Sequence, residues 1–161
     1  RLAGALHNCG RFVFSVGGRT AAALGLFEQA RAHQQQALAK SPKDPMALDF
    51  MGKHLEMIGR CHSQLQNGEQ LAATATALAE LPSRDPRLAL RAADFHLRAW
   101  HFLGKADAAA LDAAMAQLLG AEQRGLTAAQ LPAKGFEALQ DRPDFRAWQE
   151  RVRNEQRAKG N

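Results

Sequence analysis

Two short breaks of nearly the same chemistry divide this chain: Pro42-Lys43-Asp44-Pro45 and Pro82-Ser83-Arg84-Asp85-Pro86. Proline removes an amide donor and clashes with the preceding turn, so neither break lies inside a helix. Each break ends in Asp-Pro, where proline suits the first helical turn and the aspartate can accept an orphan N–H. The segments between the breaks must therefore begin as helices. Composition agrees, with 33 Ala, only three Val (Val13, Val16, Val152) and no Tyr among 161 residues. Alanine loses no side-chain entropy in a helix, whereas strands favour β-branched and aromatic residues. The fold class expected is all-α.

Glycines supply the remaining punctuation. Leu2, Leu6, Cys9, Val13 and Val16 step by four and three, one face of a first helix ended by Gly17-Gly18. Thr20 is expected to cap a second helix, about Ala21 to Lys40, with Ala23, Phe27 and Ala30 on one stripe. A third helix, about Met46 to Gln66, aligns Leu48, Met51, Leu55, Ile58, His62 and Leu65. Asn67-Gly68 turns the chain into a fourth helix bearing Leu71, Ala75 and Leu78. The fifth, about Arg87 to Leu103, aligns Leu88, Ala92, Phe95, Ala99 and Phe102. After Gly104 a sixth carries Leu111, Met115 and Leu118. Helix, glycine turn, helix, proline break is the signature of stacked hairpins, each burying its stripe against the next.

Gly10, Val13, Ala23, Phe27 and Ala30, followed by a proline break, resemble the tetratricopeptide pattern, although one residue is inserted at Gly17-Gly18 and the early Trp is missing. A second stretch, Leu118 to Trp148, resembles the ending that follows tetratricopeptide repeats in planctomycete-type bacterial proteins, including large serine/threonine protein kinases. Gly125, Leu131, Phe136-Glu-Ala-Leu139 and Asp141-Arg-Pro-Asp-Phe145 carry that likeness. The resemblance implies antiparallel helix pairs stacked as a short right-handed solenoid with a C-terminal capping helix. Residues 1–122 would form three pairs (1–40, 45–81, 86–122), 123–158 the capping segment and 159–161 a tail. In the cap, Asp141 is expected as N-cap, Pro143 and Asp144 in the first turn, and Phe145, Trp148 and Val152 on the face that closes the stack.

Chemistry is sparse. Arg1 opens on a helical pattern already under way, so the chain is expected to be part of a longer protein. Arg11 interrupts the only apolar stretch that a signal peptide would need. No apolar run reaches the ~18 residues of a membrane span. Cys9 and Cys61 form no CxxC and read as small buried hydrophobes of a reducing, cytoplasmic compartment. His54, Cys61 and His62 share two turns of one helix, too few converging ligands for zinc without CxxC or HxxxH; His7, His33, His96 and His101 are scattered. Met46, Met51 and Met57 are expected to fill core. No Gly-rich phosphate loop or nucleophile elbow occurs, and Asp49-Phe50, Asp94-Phe95 and Asp144-Phe145 lack a following Gly. No catalytic residue, cofactor or metal is assigned.

Charge offers the one candidate surface. The net charge is +5, of which the segment from Arg142 onward supplies +3 through Arg142, Arg146, Arg151, Arg153, Arg157 and Lys159 against Asp144, Glu150 and Glu155. Without interleaved aromatics this tail reads as a solvated helix end rather than a nucleic-acid patch. Lys53 and Arg60 lie seven apart on the third helix, as do Arg91 and Arg98 on the fifth, with Glu56 and Asp94 close enough to balance them. Stacked side by side, the four cations would form a ladder for an acidic peptide or a C-terminal carboxylate. The function expected is a non-catalytic protein–protein interaction scaffold of a larger signalling protein, such as a bacterial kinase. A small helical enzyme or ligand-binding protein and a nucleic-acid-binding repeat are the alternatives, the first requiring an interior pocket with a buried charged pair and the second strongly salt-dependent binding.

Overall fold

A computed structural model describes residues 2–105, 108–127, 130–131 and 135–159, with side chains to residue 154. Among these residues the chain is helical, without strands: α1 (Leu2–Ser15), α2 (Thr20–Lys40), α3 (Pro45–Gln64), α4 (Gly68–Ala79), α5 (Pro86–Phe102), α6 (Ala108–Gln123), a 3-10 turn (Glu137–Leu139) and α7 (Pro143–Lys159). Each helix from α1 to α6 packs on the next, and α1 touches α3 as α3 touches α5. Short turns make successive helices antiparallel, so α1, α3 and α5 run in one direction.

The proline breaks form as their chemistry requires. Asp44 Oδ1 accepts from the amides of Met46 at 2.9 Å and Ala47 at 3.2 Å, with Pro45 opening α3. Asp85 Oδ1 accepts from the Arg87 amide at 2.9 Å, with Pro86 opening α5. Replacing either cap, Asp44→Ala or Asp85→Ala, should lower unfolding stability by about 1 kcal/mol. A urea titration of each variant checks this; an unchanged midpoint would refute the capping role. Gly17 and Gly18 take φ of +74° and +68°, the left-handed region that glycine enters at no steric cost. Thr20 is no cap: Arg19 precedes the helix, and the Thr20 hydroxyl donates to Gln64 Oε1 at 2.7 Å, tying α2 to α3.

The core is segmented along the chain. Ala23, Phe27, Ile58 and Cys61 join α2 to α3. Met51, Leu55, Leu71, Leu78 and Phe95 join α3, α4 and α5. A third cluster joins α5 and α6 to Leu126, Leu139, Phe145, Trp148 and Val152, so the expected face of α7 does cover this end. Phe145 and Trp148 stack with centroids 5.5 Å apart. Arg142 pairs with Asp112 of α6 at 2.6 Å and with Asp144, while Arg151 pairs with Glu122 of α6 at 3.0 Å. Basic residues of the tail thus fasten α7 down, whereas the charges of Glu155, Arg157 and Lys159 and the tail residues 160–161 lie outside the described residues. Asp141 is not the cap of α7. The first helical bond runs from the Arg146 amide to the Arg142 carbonyl, and Asp141, one residue too early, pairs with Arg146 at 3.4 Å.

Several stripe assignments move. In α1 the buried positions are His7 and Gly10, while Leu2, Cys9 and Val16 face outward with Phe12. Phe27 causes the rotation: its ring sits where a Cβ on Gly10 would come within 2.7 Å. Only a glycine lets α1 approach that closely; of the expected stripe, Val13 still packs against the Phe27 cluster, while Leu2, Cys9 and Val16 are turned away from it. Met46 and Leu65 are exposed because they lie at the two ends of α3, beyond its neighbours. Between them α3 is covered on two sides, burying His54 and Gly59 as well as Met51, Leu55, Ile58 and His62 of the expected stripe, with Leu48 half-buried.

Candidate functional site

Lys53, Arg60, Arg91 and Arg98 do lie on adjoining faces of α3 and α5, but none of them is a free cation. Lys53 Nζ pairs with Asp49 at 2.6 Å and sits over the Phe50 ring. Arg60 binds Glu56 at 2.7 Å, and Arg91 reaches the same Glu56 oxygen from α5 at 3.3 Å. Asp94 then links Arg91 at 3.4 Å to Arg98 at 3.0 Å. The result is an alternating chain, Arg60–Glu56–Arg91–Asp94–Arg98, running across two helices. The expected ladder is thereby corrected to a zipper. Acids one helical turn from each cation were already present in the sequence, and helix geometry brings i, i+3 and i, i+4 charges together. Half-exposed pairs of this kind contribute about 0–1 kcal/mol each, so the zipper orders the surface more than it stabilises the fold.

Three surface clefts meet on this face, each including Arg91 in its lining. The first, about 830 Å³, lies at the starts of α3 and α5 between Leu48, Leu88 and the second proline break. The second, about 550 Å³, is bounded by Phe14, Gln64, Phe95 and Phe102. The third, about 350 Å³, reaches Leu90, Gln130 and Phe136. Together they leave an open, partly apolar trough with the zipper along it.

Sequence reasoning missed two cations at one end. Lys43 and Arg84 are exposed, line the first cleft or its rim, and make no ion pair among the described residues. A signal existed: each immediately precedes the Asp that caps its helix, at equivalent places in the two breaks. Asp85 is not available to Arg84, since the Arg87 side chain binds it and holds its carboxyl below the usual range.

Histidines are the other polar feature. His54 is fully buried, with Nδ1 3.0 Å from Nδ1 of His7, so α1 and α3 share one buried hydrogen bond. His54 Nε2 has no hydrogen-bond partner. An unpaired ring nitrogen is tolerated better than an unpaired N–H, which assigns the Nδ1 proton to His54 and makes His7 the acceptor. Burial and the neighbouring His7 push His54 down to about 4. Cys61, next to His62 on α3, is buried and its thiol is pushed up to about 11, an inert core residue. Among the described residues no three His, Cys, Asp or Glu converge as a metal site would need, and no helix is long and apolar enough to cross a membrane.

Compared with protein-family models, curated proteins and solved structures, the chain matches none. The likenesses to tetratricopeptide repeats and to kinase-associated repeat endings therefore assign no family.

Proposed function

We propose that this chain is a non-catalytic interaction module, a short tetratricopeptide-like stack whose α3/α5 face receives an acidic peptide segment of another protein. The observation that carries this reading is the open, partly apolar trough on one side of two parallel, neighbouring helices, along which cations and acids alternate. The zipper sets three cations (Arg60, Arg91, Arg98) against two acids (Glu56, Asp94), so one terminal arginine can turn to an acid of the ligand while both internal acids keep a partner. The segmented core supports the stacked-hairpin architecture, since each cluster joins one helix pair to the next. Attachment to a larger signalling protein in the cytoplasm is part of the same proposal.

The test is binding of labelled acidic peptides by fluorescence anisotropy. In the double variant Lys53→Glu, Arg98→Glu, affinity should fall by about tenfold, the effect of ~1.4 kcal/mol lost across two partly exposed contacts. Circular dichroism controls for folding. Unchanged affinity in a folded variant would remove this face from consideration.

A further inference from the structure

Helix α1 turns an apolar face outward. Its core side is set by His7 and Gly10, with Ala3 and Phe14 half-buried beside them. On the other side Leu2, Ala5, Cys9, Phe12 and Val16 are all exposed, Leu2 at 56%, Phe12 at 71% and Val16 at 57%. These five positions step by three, four, three and four, the a and d spacing of a coiled-coil seam. Single exposed apolar residues are ordinary, whereas a continuous row of them marks a contact surface. Among the described residues the other large ones, Met46, Leu65, Leu103 and Leu119, form no such row.

The flanks of the seam decide what covers it. The e and g positions, which set partner choice through charge, are Leu6, Val13, Asn8 and Ser15. None is ionisable, so the face neither draws a charged partner nor repels a copy of itself. Arg11, the one Lys or Arg between Leu2 and Ser15, takes a c position outside the seam, and α1 carries no acid. A second α1 offers the same length, the same period and the same neutral flanks. The 14 residues of α1 make a strip ~21 Å long and ~10 Å wide. Facing two such strips removes on the order of 1,000 Å² of accessible surface, the size of a weak, concentration-dependent association rather than a permanent one.

We propose that a second copy of this chain docks on α1, the two α1 helices pairing about a two-fold axis along their Leu2-to-Val16 seams. A two-fold interface uses one patch twice and requires that patch to be self-complementary. An apolar row between uncharged flanks meets that requirement. Phe12, the most exposed of the five, is the anchor of the contact. Cys9 is the middle member of the row and its thiol is free and exposed. Pairing centred on the row therefore brings the two Cys9 residues near each other whether the helices run parallel or antiparallel. This surface is separate from the charged α3/α5 trough, and the inference stands without the peptide-binding reading.

Sedimentation equilibrium at rising concentration tests this on the natural protein, Phe12→Glu and Met46→Glu. Met46, 70% exposed on α3, is the matched control for adding a charge at an apolar surface position. Both residues are exposed, so both variants keep the fold, which circular dichroism verifies. The natural protein should pass from monomer to dimer, Phe12→Glu should weaken that step by about tenfold or more, and Met46→Glu should leave it unchanged. In parallel, a short bismaleimide should join two copies of the natural protein but not of Cys9→Ser, because Cys61 is buried. A monomer at the highest soluble concentration overturns the inference and leaves α1 to a different protein. A dimer that Phe12→Glu does not weaken, that Met46→Glu weakens equally, or that Cys9 does not cross-link uses another face, and overturns it as well.

Discussion

Acidification from pH 7 to pH 4 should destabilise this protein by several kcal/mol, with the loss concentrated between pH 6.5 and pH 4. His54 is fully buried and held down to about 4 by desolvation and by His7. Unfolded, it titrates near 6.5, so below that pH the unfolded chain binds a proton that the folded chain refuses. Stability from this group is complete above 6.5, declines as pH falls toward 4, and declines no further below. At about 1.4 kcal/mol per pH unit, His54 alone accounts for about 3 kcal/mol. His7, His62 and His96 are shifted down as well, each chiefly by burial, and they add in the same direction. His7 is also lowered by Arg11 on its own helix and by Lys53 on α3, with Glu56 of α3 opposing.

The structural reason is specific. His7 accepts at Nδ1, so protonating it sets two N–H groups against each other across 3.0 Å; protonating His54 places a charge in a site with no partner for Nε2. Urea unfolding at pH 7, 5.5 and 4 measures the effect, and His54→Gln should flatten the profile. A midpoint that stays constant over this range would contradict the assignment.

Gly59→Ala should destabilise the fold by about 1–3 kcal/mol, the cost of overpacking a filled site. A Cβ at this position would collide with Phe95 at Cε2 and stand 2.6 Å from its Cζ. Phe95 is almost wholly buried between α3 and α5 under Arg91, and a phenyl ring so placed has no flexible end to move aside. The substitution also gains helix propensity worth about 1 kcal/mol, so the measured loss is what remains after that offset. Gly25→Ala in α2 separates the two terms, because nothing lies within 4 Å of its Cβ and only the propensity gain applies. Opposite signs for the two variants in thermal unfolding are the expected result; a stabilised Gly59→Ala would show that α3 and α5 approach less closely than described. If the α3/α5 spacing relaxes, peptide binding in the trough should weaken with it.

Much of the architecture is legible from local chemistry alone. Asp-Pro pairs start α3 and α5, Gly17-Gly18 and Asn67-Gly68 turn the chain, and alanine makes the intervening segments helical. The face of α7 also follows directly, because Phe145, Trp148 and Val152 form its one apolar stripe, whereas α5 buries Ala89, Ala93 and Leu97 on a second face beside the expected one. Where a helix offers two apolar faces, the sequence is silent. α1 carries Leu2, Cys9 and Val16 on one side and Ala3, His7 and Gly10 on another, and Phe27 chooses the second by filling the space over Gly10.

What the amino-acid order determined by itself was the set of helices and the Asp-Pro starts of α3 and α5, since prolines, glycines and their caps act within a few residues. Tertiary structure alone decided which charges are free. Arg91 meets Glu56, and His7 meets His54 forty-seven positions away, only because α1, α3 and α5 are brought side by side. Pairing across helices depends on their rotation and spacing, which no local pattern encodes, and for that reason the four expected ladder cations proved internally matched while Lys43 and Arg84 did not.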